Sequence, residues 1–450
     1  VKAGAMVVDH RNVGAAFRRL SIPVAVAMIG DQLLGIADTI AIGSLGVVAL
    51  AGATAANTMF LALNMSAAGL LSGTSIVAAQ RIGANDLDGF ARTIRSGAMA
   101  PLIAGVLAFI AAWFFGGTLL HVTVGDLASG PASAAYLTVR CLSIVPIAVS
   151  GSLIVGLGQA GNQKLGVWVL IAINLVHIPL LLMLGLGWWT HHPFGILGAG
   201  ISSFLSEMVG MIFAITYVAR RPAYRIFSQL SISLATAWQT ARLGMPEAVF
   251  LFTVMLPDVF VVAMLAPFGP TAVAAFRALN VASDLTFVIP SPLQSAAQTV
   301  IGQRIGAGDI PGAKAFLARA LRLTLLITAV AGVVAAALSW PLAFAFTLNA
   351  SVASIAALPL AVHMITLPLK GWSMVALAPI RASGDTQFSM IVGILSSVLV
   401  IPVAWLGIDR FGLGLYSVPI AWIMAWAMRA VITQFKLRDG AWMRTPPLAA

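Results

Sequence analysis

Charge is scarce in this chain. Only 9% of its 450 residues are Asp, Glu, Lys or Arg, against about 25% in soluble domains. With 60% hydrophobic residues and a mean hydropathy of +1.00, that scarcity excludes a soluble globular protein and predicts a polytopic membrane protein. Cysteine occurs once, at Cys141, which excludes an intramolecular disulfide and a cysteine-based metal cluster. No Gly-x-x-x-x-Gly-Lys-Ser/Thr segment is present, so ATP drive is not expected. No Gly-x-Ser-x-Gly elbow is present either, so no enzyme and no cofactor are expected. His191-His192 is the sole foothold for a membrane-surface transferase, and it has no Glu or Cys at ligand spacing, so no metal site is expected. A cleavable signal pattern is also missing. The basic first residues lead into a run too long for a signal-peptide core, and the first hydrophobic segment is expected to stay.

What the chain has in abundance is apolar runs. Spans of about 20 residues give twelve: 21–45, 50–77, 93–118, 134–157, 165–187, 195–219, 241–266, 271–300, 316–346, 355–378, 388–408 and 412–436. With the N-terminus inside, nearly all of the 25 Lys and Arg fall in or near the tails and the even-numbered connections. Arg410 alone lies on the opposite side, and Arg140, Arg277 and Lys370 fall within spans. The positive-inside rule then puts both termini in the cytoplasm, in a multi-pass protein of the cell inner (cytoplasmic) membrane. The net charge of +11 is a topology signal, and no nucleic-acid partner is expected.

The chain also repeats itself at an offset of 223. Gln80-Arg81-Ile82-Gly83-Ala84-Asn85-Asp86, with Gly89, returns as Gln303-Arg304-Ile305-Gly306-Ala307-Gly308-Asp309, with Gly312. Pro23 meets Pro246, Asn57 meets Asn280, Gly161 meets Gly384 and Pro179 meets Pro402 in the same register. The fold class follows: an all-α integral membrane protein of twelve transmembrane helices in two six-helix lobes, related by a pseudo-twofold axis along the membrane normal. The expected boundaries are a cytoplasmic N-terminus 1–20, an N-lobe 21–219, a linker 220–240, a C-lobe 241–436 and a cytoplasmic tail 437–450. The repeated segment itself reads as a connector, its glycine ending one helix and its aspartate capping the next.

Acids inside spans carry the functional reading. Asp31 and Asp38 lie on one face of span 1, roughly 10 Å apart along the axis. A carboxylate in hydrocarbon costs several kcal/mol, so Asp38 is read as the loading site for a coupling ion, with a structural hydrogen-bonded acid as the rival. Asp31 either shares that role or pairs with Arg140, and Gln32 is placed to donate to a carboxylate. Asp258, Asp284, Arg277 and Glu207 are candidates for the cavity wall, Arg277 needing one of the two aspartates as a partner. His177 and His363 are read as packed histidines before proton relays. Lys370 either snorkels or binds an anion. Met59 and other methionines suit an adaptable apolar cavity.

Taken together, these features resemble the multidrug and toxic compound extrusion (MATE) family. The carrying residues are the doubled Gln-x-Ile-Gly-Ala connector, the segment Ala37-Asp38-Thr39-Ile40-Ala41-Ile42-Gly43, and Pro23 fifteen residues before the aspartate. The resemblance is closest to the DinF-type branch. It implies an antiporter that exports bulky, often cationic or amphipathic compounds in exchange for protons or sodium, with the lipid bilayer and small organic molecules as partners and a monomer as the unit. It makes Asp38 the ion site (with Na+ an option near it), Pro23 the bend of helix 1, and Asn174 a neighbour of the acid. Where that branch has a second aspartate, this chain has Ile178, preceded by His177. The rival transport reading is a flippase for a lipid-linked sugar from the same superfamily.

Overall fold

The computed structural model of the chain describes residues 12–124, 130–188, 193–229, 231–254, 256–347 and 349–444. His191-His192 lie outside them. Among the described residues the regular elements are all helical. The first half holds α1 (Val13–Gly43), α2 (Val47–Gly83), α3 (Leu87–Gly97), α4 (Met99–Val124), α5 (Pro131–Leu142), α6 (Ile144–Gln159), α7 (Lys164–Leu180) and α8 (Gly195–Ala219). The second half begins with α9 (Leu234–Thr253), α10 (Leu256–Leu265), α11 (Pro270–Leu285), α12 (Pro290–Gly306) and α13 (Ile310–Ala337). It ends with α14 (Ser339–Thr347), α15 (Ala350–Ile365), α16 (Leu367–Ala376), α17 (Ala378–Ala382), α18 (Thr386–Trp405) and α19 (Ser417–Asp439).

Among the described residues nine helical stretches are long and apolar enough to cross a bilayer, and a tenth runs through α15 to α17 with a 40° bend. The two remaining expected spans, 241–266 and 271–300, each fall on two shorter helices, α9–α10 and α11–α12. Proline explains the interruptions. Pro257 has no N–H for the carbonyl of Thr253, where α9 stops, and Pro290 opens α12. Spans 4 and 10 break at Ser143 and Thr366, positions related by the 223-residue offset, although the prolines that disturb them, Pro146 and Pro368, are not equivalent.

The chain divides into two compact units. One holds residues 23–252; the other holds 12–22 together with 253–444. The cut passes through α1 at Pro23 and just before the last residue of α9, so the stretch 220–240, expected as a linker, lies inside the first unit. Packing explains why. Gly69 and Gly73 on α2 lie against Thr240, Gly244 and Ala248 of α9, so closely that a Cβ on Gly73 would overlap the Thr240 carbonyl. Small residues at four-residue spacing let two backbones approach in this way. Arg95 fixes the preceding loop by donating to the carbonyls of Ile226 (2.7 Å) and Ser231 (3.1 Å). In the second unit Val13, Ala16, Phe17 and Leu20 of α1 join a core with Leu293, Val300 and Phe316. There the Ser21 hydroxyl donates to the Pro292 carbonyl at 3.1 Å. At the repeat offset Ser21 matches Gly244 and Pro292 matches Gly69, so the start of each half's first helix packs in the same manner.

The doubled connector has the anatomy expected of a helix stop and start. Asp86 accepts from the Gly89 N–H (2.8 Å) and from Arg81 Nη1 (2.7 Å), and Asp309 accepts from Gly312 (2.9 Å) and Arg304 Nη1 (3.1 Å). The residue before each cap is left-handed, Asn85 at φ 60 and Gly308 at φ 72, which is why only Asn and Gly stand there.

Candidate functional site

Within the first unit the intramembrane polar residues converge. α1 and α7 meet where the Leu170 side chain packs over Gly30. Eight residues on from Gly30 is Asp38, and seven on from Leu170 is His177. Two turns along parallel helices therefore bring the pair together, and Asp38 Oδ1 stands 2.6 Å from His177 Nε2. The ring is 2% exposed, and its Nδ1 lies 3.3 Å from Ser206 Oγ of α8.

The donors around this ring decide the chemistry. The Ser206 hydroxyl lies beside Nδ1 and donates to the Ser203 carbonyl at 2.8 Å. At 2.6 Å one proton lies between Nε2 and the Asp38 carboxylate, so the ring ties α1 to α7 and, through Ser206, to α8.

The other expected residues sort around this pair. Asp31 and Gln32 are exposed on α1. Glu207 is half-buried on α8, within electrostatic reach of Arg140, Asp31 and His177. Arg140 on α5 acts electrostatically on Asp31, but its bonds are elsewhere: Nη2 donates to Asn57 Oδ1 at 3.2 Å, and the guanidinium lies 4.0 Å from the centroid of Phe60. Asn174 donates its amide N–H to the Leu170 carbonyl in its own helix (2.9 Å), and the side chain hydrogen-bonded directly to Asp38 is His177. Met59 packs half-buried against the core around Ala56 and Phe60.

The second unit holds a cluster of opposite balance. Asp258 on α10 is half-buried and hydrogen-bonded to Asn280, so the repeated asparagines Asn57 and Asn280 each hold an intramembrane charged side chain. Arg277 and Asp284 are exposed on α11. Arg277 makes no ion pair among the described residues, although it acts on both aspartates at longer range. Lys370, His363 and Arg429 are buried. Arg429 lies inside α19 against Trp426, before the basic residues of that helix's last turn. Glu247 is buried on α9 beside Gly69 of α2, in the first unit.

The model of one protein family, MatE, matches the chain twice, over residues 23–183 and 246–406. The chain belongs to the MatE family. The two matches of this MatE chain stand in the same 223-residue offset as its internal repeat. Among curated relatives, the probable multidrug resistance protein NorM of Aromatoleum aromaticum (strain DSM 19018 / LMG 30748 / EbN1) is 26% identical over 301 residues, 64% of this chain and 63% of that protein. The match thus spans less than two thirds of the relative's length. The multidrug resistance protein MdtK of Edwardsiella ictaluri (strain 93-146) is 24% identical over 354 residues, 77% and 76% of the two chains. A solved structure described as the outward-facing conformation of a multidrug resistance MATE family transporter of the MOP superfamily superposes with a TM-score of 0.88 at 20% identity. It covers 98% of both chains, so the all-helical MATE fold extends over nearly the whole sequence.

Proposed function

We propose that the chain is a secondary efflux antiporter of the cell inner membrane. It exports bulky, often cationic or amphipathic compounds in exchange for protons or sodium, with Asp38 as the coupling-ion site. The observation that carries this reading is the 2.6 Å pairing of Asp38 with His177 in the first unit, within electrostatic reach of the exposed acid Asp31. The family match and the relatives' names as multidrug resistance proteins support the transport class.

In the proposed cycle a cation on Asp38 holds α1 against α7. Its departure restores the full carboxylate charge on Asp38, and the two helices separate. Pro23 supplies the soft point, since it has no N–H for the carbonyl of Arg19, and the boundary between the units falls there. A cationic substrate then finds in Asp38, Asp31 and Glu207 the negative charge that the ion has vacated. Reloading Asp38 from outside removes that attraction and the substrate leaves. Gln32 and Asn174 are the oxygen-bearing side chains available to a sodium ion beside Asp38.

The test is efflux of fluorescent cations from proteoliposomes under an imposed pH or sodium gradient. Asp38→Asn is expected to lose gradient-driven efflux. Export by the variant at the normal gradient-dependent rate would remove Asp38 from the coupling role.

A further inference from the structure

The first unit holds an apolar cavity that the proposed cycle does not use. Its volume is about 210 Å³, and its walls include Ile94 of α3, Val149 and Leu153 of α6, and Ile215 of α8. Ile226, Phe227 and Ile232, from the stretch between α8 and α9, complete the apolar lining. Two polar side chains line it, Ser152 and Arg95. The Ser152 hydroxyl donates to the Ile94 carbonyl at 2.7 Å, so the charge of Arg95 is what the cavity presents to a ligand. Arg95 holds the covering stretch through the Ile226 and Ser231 carbonyls, and neutral carbonyls leave that charge in place. Asp88 acts on Arg95 electrostatically, but both its oxygens are 3.1 Å from the guanidinium of exposed Arg225. Arg92, exposed one turn before Arg95 and within its electrostatic reach, forms no ion pair among the described residues. Three cations thus stand against one carboxylate. The covering stretch is apolar outward as well: Phe227 is 39% and Ile232 52% exposed, and Trp238, one turn into α9, is 65% exposed. Tryptophan among basic residues marks the headgroup level of a bilayer, and the positive-inside rule assigns this end to the cytoplasmic leaflet, the one that carries anionic lipids.

We propose that this cavity seats an acyl chain of an anionic phospholipid from the cytoplasmic leaflet, with Arg92 and Arg95 as the charges that select its head. A polar ligand would leave its groups unpaired against Ile94, Val149, Leu153 and Ile215, which is costly, whereas a hydrocarbon tail gains by leaving water. The surplus of positive charge at the same place favours a head with net negative charge over a zwitterionic one. A lipid so placed ties α3, α6 and α8 to the stretch that carries Ile226, Phe227 and Ile232 and stabilises the first unit. None of the residues assigned to coupling lines the cavity, so the inference goes beyond the proposed antiport and rests only on the orientation that the basic residues give.

The test is a lipid titration of the delipidated full chain in neutral detergent, read by native mass spectrometry and by thermal unfolding, with no gradient imposed. The probes are dioleoyl phosphatidylglycerol, dioleoyl phosphatidylcholine with the same tails and no net charge, and glycerol phosphate, the charged head without tails. Wild type is expected to bind one phosphatidylglycerol at least about tenfold more tightly than phosphatidylcholine, in line with two net basic charges near a membrane surface. It is also expected to unfold at a higher temperature with that lipid bound. Arg92→Gln, which leaves the Arg95 bonds to the covering stretch in place, is expected to lower the preference about fivefold. Val149→Phe and Ala98→Leu fill the cavity from two of its sides, and each is expected to abolish the tight site, whereas Lys314→Gln in the second unit leaves it unchanged. Equal binding of the two lipids by wild type overturns the proposal even if both filling variants fail to fold. So does displacement of the lipid by glycerol phosphate, which marks a site for a free anion, and so does a preference that survives in a folded filling variant. A loss in Lys314→Gln as large as that in Arg92→Gln overturns it too, since it marks attraction to the basic surface at large.

Discussion

Asp38 and His177 face one another at 2.6 Å, a hydrogen bond between a carboxylate and an imidazole inside an apolar helix bundle. The pairing makes the histidine as informative as the acid. Replacing His177 with Phe keeps the ring volume and removes both nitrogens. Gradient-driven efflux of a fluorescent cation is expected to fall at least about tenfold, in line with the loss of one charge-assisted hydrogen bond at a buried site. Efflux equal to wild type would show the ring to be packing alone. At this scale the sequence was half legible. Asp38 stood out because a carboxylate in an apolar run is costly. His177 did not, because its partner is 139 residues away and a histidine on an apolar helix reads as core. The resemblance makes Asn174 a neighbour of Asp38, and its amide N–H shares the Leu170 carbonyl one turn back in its own helix. Arg429 was hidden by its nearness to basic residues at the end of α19.

The two halves use one set of helical devices with different residues. Asp86 and Asp309 cap their helices alike, and removing the Asp309 cap by Asp309→Ala is expected to lower stability by about 1 kcal/mol, read from thermal unfolding in detergent. The contact of α2 with α9 is less forgiving, because backbone occupies the place of a side chain at Gly73. Gly73→Leu is expected to cost about 1–3 kcal/mol or to prevent folding, whereas Ala at exposed Gly35, which has open space around it, is expected to be neutral or slightly stabilising. Equal unfolding temperatures for the Gly73 and Gly35 variants would contradict the close approach. Capping and repeat register could be read from the sequence because they are local. The α2–α9 contact could not, since Gly69 and Gly73 look like any small pair in an apolar helix until a partner is known. The interrupted spans were legible as apolar runs but not as breaks, and Ser143 and Thr366 show why: equivalent breaks arise from prolines that are not equivalent.

For the whole molecule, composition and repeat were enough to give the fold class, because a bilayer admits few architectures and the 223-residue offset recurs in the family matches. The division into units was not, because it cuts α1 and takes in α9 through tertiary packing. Orientation follows from the basic residues: in a Cys141→Ser background, Arg410→Cys is expected to react with an impermeant thiol reagent added outside whole cells, and Lys314→Cys only after lysis. The reverse pattern would invert the molecule. The central claim, that one carboxylate serves coupling ion and substrate in turn, is tested most directly by the substrate's dissociation constant at stepped pH and stepped sodium, without any gradient. Wild type is expected to bind a cationic substrate more weakly as one of the two ions is raised, and Asp38→Asn to show no such dependence. An affinity in wild type that ignores both ions, or a variant that keeps the wild-type dependence, would contradict the account.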